Sequence, residues 1–388
     1  MKRNKIVSVG MFLSGLLITS CNSGGSSSTP SNNLQYDIIV DAGSSGSRAY
    51  VYQIKNDNND KKILDLFEVS NKIPLASFSS NPQSSGTTGI ATLLDQAIAK
   101  LNLDYNITPN KVTTNVLGTA GMRLIPESIQ TAIYQNVAST IKNKGLRLGK
   151  TETITGQKEG VYSWADVNYL SGAFTTSNLQ GIIEVGGAST QVAFMTSDIF
   201  NPNSVVVKVN SRPYNIYSIS FLGLGSDQAR EKMNLTLEHN YCYVNGYNKG
   251  NIVGNFDLNK CSINYESILS EPLFASLIKL SLVPDFSTQS FVGLGGIYYA
   301  LNFWKMEHNP TQELLLSNIN ETCSKNYTEL EQLYPNAFKL YDTCANATYV
   351  SLLLYNSLQI NNSQLISTNK IANQALTWTL GYELLSQN

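Results

Sequence analysis

With 388 residues, 42 % of them hydrophobic and 14 % charged, the chain is globular and not disordered. Its 27 basic and 28 acidic side chains leave a formal net charge of -1, which gives no basic field to gather nucleic acid, so any phosphate chemistry must be local. Single cores stop growing at ~250 to 300 residues, so two domains are expected.

The N-terminus opens on a basic stretch, Met1 to Lys5, followed by an apolar run from Ile6 to Ser20, and residues 1–21 read as a signal peptide. Ile18-Thr-Ser-Cys21 resembles a bacterial lipobox, which would make Cys21 a lipid anchor; the alternative is an ordinary cleaved signal with a chance cysteine. Residues 22–34, with Ser23-Gly-Gly-Ser-Ser-Ser-Thr-Pro30, read as a linker. The chain is therefore expected outside the cytoplasm, secreted or periplasmic, lipid-anchored if Cys21 is acylated.

Next come two strand-like runs, Tyr36 to Val40 and Ala49 to Ile54, around the small-residue stretch Asp41-Ala-Gly-Ser-Ser-Gly-Ser47. Ile90, Leu93, Leu94, Ala97, Ile98 and Leu101 fall at helical spacing, and Val112 to Leu117 is again strand-like. Pro126 starts a helix with the stripe Ile129, Ile133, Val137 and Ile141, stopped by Gly145. Thr151 to Thr155 reads as a strand, Gly156 to Gly160 as a loop, and Val161 to Leu170 as a helix. Strands alternating with helices mean α/β.

The opening unit then recurs. Gly181-Ile-Ile-Glu-Val-Gly-Gly-Ala-Ser-Thr-Gln191 repeats the order apolar strand, acid, small residues, returning strand, and maps Asp41 onto Glu184. Such loops bring backbone N-H groups and hydroxyls close to a ligand, as phosphate sites require. Gly43, Ser44, Ser45, Gly46 and Ser47 form the first candidate cradle, and Gly186, Gly187, Ala188, Ser189 and Thr190 the second. Asp41 and Glu184 beside a polyphosphate would repel it unless a divalent cation, Mg²⁺ or Ca²⁺, lay between, held through water.

In the second half, Cys242, Cys261, Cys323 and Cys344 allow three disulfide pairings, of which Cys242 with Cys261 and Cys323 with Cys344 are the local ones. Each would close a loop of about 20 residues, worth roughly 3 kcal/mol in the chain-entropy model.

Val40-Asp-Ala-Gly-Ser-Ser-Gly-Ser-Arg48, Gly118-Thr-Ala-Gly-Met-Arg123, Gly156-Gln-Lys-Glu-Gly160 with Trp164, and Val185-Gly-Gly-Ala-Ser-Thr-Gln191 resemble, in order, four signature regions of the ecto-nucleoside triphosphate diphosphohydrolase (apyrase) family. Tyr217 to Gly225 and Ser290 to Tyr299 resemble two more. The resemblance implies two ribonuclease-H-like lobes of the actin, Hsp70 and sugar-kinase superfold, with the active site in the cleft between them. It suggests lobe I over 35–160 plus 366–388 and lobe II over 161–365, the latter with both disulfides. It also implies a monomeric hydrolase that removes terminal phosphates from nucleoside tri- and diphosphates.

By the same resemblance Glu159 is the general base, exposed between glycines and ionised near its ordinary pKa of ~4.3. Thr119, Ser189 and Gln191 orient the water or the terminal phosphate, while Arg123, Trp164 and Trp378 are structural. Asn302, Phe303 and Tyr349 hold the base. No Ser-His-Asp set or reactive cysteine is apparent, which favours in-line attack by water. The family usually has Asp where this chain has Glu184. An exopolyphosphatase or a sugar-kinase-like enzyme of the same superfold is the alternative.

Overall fold

The computed structural model describes residues 34–57 and 60–386, so the expected leader, Cys21 and the linker up to residue 33 lie outside the described residues. Five strands form a first sheet: β1 (Leu34–Ala42), β2 (Ser47–Asp57), β3 (Asp60–Asn71), β4 (Val112–Gly118) and β5 (Arg147–Thr153), in the order β3-β2-β1-β4-β5. A second sheet holds β6 (Gly181–Val185), β7 (Ser189–Met195), β8 (Ser204–Val209), β9 (Arg212–Leu222), β10 (Phe291–Gly295) and β11 (Leu365–Ser367), in the order β11-β10-β6-β7-β9-β8. Each sheet pairs its first strand antiparallel with the second and parallel with a later crossover strand. With β8 set aside as an added edge, the two strand orders are the same. The recurrence seen in the sequence is thus a recurrence of topology.

The apolar runs explain the layers. Ile38 and Val40 pack on the outer side of the first sheet, beneath the helices Ala91–Tyr105 and Glu127–Asn143, whereas Ile39 joins a core shared by both sheets. Side chains alternate along a strand, so Asp41 falls on the same inner face as Ile39. In β6, Ile183 and Val185 face the outer core of the second sheet and Ile182 the shared core, which puts Glu184 on the inner face too. The alternation therefore turns both acids toward the space between the sheets.

Two helices fill that middle layer, Gly156–Leu170 and Trp378–Leu385, with Trp164 and Trp378 buried in it. The first starts one turn earlier than its apolar periodicity predicts, because the Thr155 hydroxyl caps it by accepting from Lys158 N at 3.2 Å. Glu159 is thus in the first turn of a helix and not in a glycine loop. The C-terminal helix is tied down by Lys61, whose ammonium pairs with Glu383 at 2.6 Å in a buried setting. β11 extends the second sheet through Ser367, just past the expected lobe boundary at 365.

The local cysteine pairing is the one present: Cys242–Cys261 and Cys323–Cys344 are disulfides, with Cα atoms 4.8 and 6.0 Å apart. Among the described residues no helix is long and apolar enough to cross a membrane.

Candidate active site

A cleft of about 690 Å³ opens where β1, β6 and β10 end. Its floor is lined by Asp41, Gly43, Ser44 and Ser45 from the first loop and by Glu184, Gly186, Gly187, Ala188 and Ser189 from the second. The loops touch: a Cβ on Gly187 would stand 2.4 Å from Ser44 Oγ and 2.9 Å from Asp227 Oδ2, so a larger residue there would push those side chains aside. Two residues expected in the cradle turn away. The buried Ser47 hydroxyl donates to the Ile73 carbonyl at 3.0 Å, and Gly46 sits against Asn71. Thr190 is also buried, donating to the Leu224 carbonyl.

Glu159 lies beside the cradle and departs from expectation. It is only 7 % exposed, and its Oε2 accepts from Arg123 Nη2 in an ion pair and from Gln191 Nε2 at 3.3 Å. Burial pushes its pKa up to about 8; Arg123 opposes that shift, while Glu184 and Asp41 add to it. The glycine neighbours suggest exposure, but the helix they open is sandwiched between two sheets.

Arg123 also reaches Ser220 Oγ at 3.3 Å and Ser189 Oγ at 3.4 Å, and Gln191 Nε2 reaches Ser220 Oγ at 3.1 Å as well as Ser189. Arg123 thus touches the expected base directly, beyond bracing its own corner. Gln191 Oε1 is buried with no hydrogen-bond partner. Ser220, which the sequence reading did not single out, joins this cluster because it alternates with the outward Ile219 and Phe221 on β9. Thr119 lines the cleft at the end of β4, its backbone N-H held by the Ala42 carbonyl at 3.3 Å.

The two acids are not alike. Burial pushes Asp41 up to about 7, countered by Arg48, and its Oδ1 is enclosed without a partner. Glu184 is also raised by burial, countered by a hydrogen bond from Ser163 Oγ at 2.5 Å. Trp378, expected to be structural, lines the cleft beside Asp41. Among the described residues no cluster of three or more His, Cys, Asp or Glu is built to hold a metal alone. An acid whose folded pKa is raised loses stability as pH climbs from its unfolded value through the folded one. The melting temperature of the metal-free protein is therefore expected to fall between about pH 4.5 and about pH 8 as Asp41 and Glu159 charge, together with the likewise raised Asp65, Asp342 and Glu383, and a pH series of melting curves on the wild type and the Glu159→Gln variant checks it.

At the far end, Asn302 and Phe303 line the cleft, but Tyr349 does not. It is buried to 1 %, packs on Tyr265 at 5.4 Å and donates to the Leu224 carbonyl at 2.6 Å, so no face is free for a ligand. The aromatics that do present faces are Tyr299 and Phe338, 52 % and 65 % exposed on the cleft wall with rings 5.2 Å apart. Only the exposure of two distant residues reveals them, although Tyr299 stands at the end of the Ser290 to Tyr299 motif.

Two sheets of matching order around such a cleft define the ribonuclease-H-like superfold of actin, Hsp70 and the sugar kinases. In overall fold the chain is similar to a nucleoside triphosphate hydrolase from Neospora caninum, with a TM-score of 0.65 at 16 % identity over 90 % of this chain and 92 % of that one. An Aquifex aeolicus Ppx/GppA protein gives 0.55 at 14 %, over 92 % and 99 %. The chain belongs to the GDA1/CD39 (nucleoside phosphatase) family, whose profile matches residues 27–388, and it is a hydrolase of the apyrase type. It is 26 % identical to human ectonucleoside triphosphate diphosphohydrolase 3 over 92 % of its length and 78 % of the relative's. Its identity to probable apyrase 3 of Arabidopsis thaliana is also 26 %, over 91 % and 82 %.

Proposed function

We propose that the protein removes the terminal phosphate of nucleoside tri- and diphosphates outside the cytoplasm, by in-line attack of a water that Glu159 deprotonates. The observation that carries this reading is the Glu159, Gln191 and Ser189 cluster beside two glycine loops that meet. Glu159 and Ser189 line the cleft where the water would sit, whereas Gln191 lies fully buried behind them and would act on the water only by donating its Nε2 to both side chains and holding them in place. The loops offer backbone N-H groups to the phosphate oxygens, and Thr119 borders the same space. Names of the relatives, with nucleoside triphosphate and diphosphate in them, support the substrate class.

The donor set suits a divalent cation. Burial raises the pKa of both Asp41 and Glu184, opposed mainly by Arg48 at Asp41 and by Ser163 at Glu184, and Asp41 Oδ1 lacks any partner. Two carboxylates plus phosphate oxygens suffice for Mg²⁺ that keeps most of its waters. These residues would hold it through water, and when bound it would neutralise phosphate charge. The paired disulfides agree with an oxidising compartment, as would the leader expected from the sequence.

The exposed Tyr299 and Phe338 faces favour a nucleotide over inorganic polyphosphate, with Asn302 and Phe303 beside them. Stacking of a base is worth ~1 to 3 kcal/mol. Tyr299→Ala is therefore expected to raise KM for ATP roughly tenfold, by that same stacking energy, with kcat nearly unchanged and tripolyphosphate hydrolysis unaffected. Steady-state rates on both substrates decide between the nucleotidase and the exopolyphosphatase. An equal loss on both would remove the base clamp.

A further inference from the structure

We propose that Ser163 is a positioning residue for Glu184, and that the pair fixes where the divalent cation sits and favours Mg²⁺ over Ca²⁺; this rests on the hydrolase reading above. Ser163 is 1 % exposed on the helix Gly156–Leu170, four residues after Glu159 and so on the same face. A mid-helix serine commonly turns its hydroxyl back to the carbonyl one turn earlier. This one instead donates to Glu184 Oε2 at 2.5 Å.

That bond depends on the length of the glutamate. With Asp at 184 the carboxylate would retract by about one carbon-carbon bond, ~1.5 Å, and leave the Ser163 hydroxyl behind. Asp41, at the equivalent place on β1, has no such clamp on its enclosed oxygen. One Glu184 oxygen is therefore fixed by Ser163, and the other is left to hold a water of the cation. Because Ser163 and Glu159 share one helix, the spacing between the base and the cation-side acid is set by a rigid element. A fixed acid suits the strict octahedron of Mg²⁺, with bonds of ~2.1 Å, better than the loose, longer-bonded shell of Ca²⁺.

The test uses Mn²⁺ as a paramagnetic probe, titrated with a non-hydrolysable ATP analogue present and then displaced by Mg²⁺ or Ca²⁺. Partners that orient a metal's ligands are worth ~10-fold or more in affinity. Ser163→Ala is expected to weaken Mn²⁺ binding about 10-fold and to lower the Mg²⁺ to Ca²⁺ displacement ratio. Glu184→Asp should do the same from the other side, and the double variant should be no worse than either single one. Urea unfolding in chelator separates folding defects from these effects. Unchanged affinity and ratio in Ser163→Ala, or additive losses in the double variant, would overturn the pairing. Failure of the hydrolase reading shows separately, as a wild-type protein that binds no Mn²⁺ with nucleotide.

Discussion

Glu159→Gln is expected to bind nucleotide with near wild-type affinity and to lose ~10²- to 10⁴-fold in kcat, the usual range for a general base. Glutamine keeps the shape and can still accept from Arg123 and Gln191, so the loops that hold phosphate stay in place. What it cannot do is take a proton. In the wild type the same group must be ionised to act, and in the metal-free cleft burial holds it near about 8. Activity at limiting cation should therefore rise with pH through that region. Since Glu184 and Asp41 help to raise this pKa, neutralising them with saturating Mg²⁺ should move the acid limb of kcat/KM to lower pH. Nucleotide binding by calorimetry and pH-rate profiles at two Mg²⁺ concentrations check both statements. A Gln variant with more than a tenth of wild-type kcat would be incompatible with this role.

Arg123→Ala is expected to damage both stability and turnover. Removing one partner of a buried ion pair leaves the other charge unmatched, at a cost of about 3 to 5 kcal/mol. Side-chain exposures of 14 % and 10 % put this pair in that class. The loss should be largest above pH 8, where Glu159 is ionised, and smaller at pH 6, where it carries a proton. Loss of the cation also lets the pKa of Glu159 climb further, so the acid limb of the rate profile moves up. Arg123→Lys restores the charge without the fork that reaches Glu159 and Ser220 together, and should recover stability more than rate. Urea unfolding at the two pH values, beside rate profiles, resolves these effects.

Much of the fold was legible in the sequence because it was written twice. The repeated order of strand, acid and small residues located both loops, and period-two alternation turned Asp41 and Glu184 inward together. Glu159 was legible as a residue but not as an environment. Its glycine neighbours look like an exposed loop, and only the packing of its helix between two sheets buries it beside an arginine from another corner. Ser47 and Tyr349 show the converse. Residue type suited them to phosphate and base, yet tertiary hydrogen bonds to the Ile73 and Leu224 carbonyls draw them out of the cleft. The Tyr299 and Phe338 pair joins two distant segments, and no local pattern records that meeting. Ser163 became informative only through the extra methylene of Glu184.

The most direct test of the central claim is phosphate release from ATP, ADP and AMP in the presence of Mg²⁺ and in chelator. Both terminal phosphates of ATP are expected to be released in turn, one from ADP and none from AMP, with all release abolished in chelator. Full turnover in chelator, or release from AMP at a rate comparable to ATP, would contradict it.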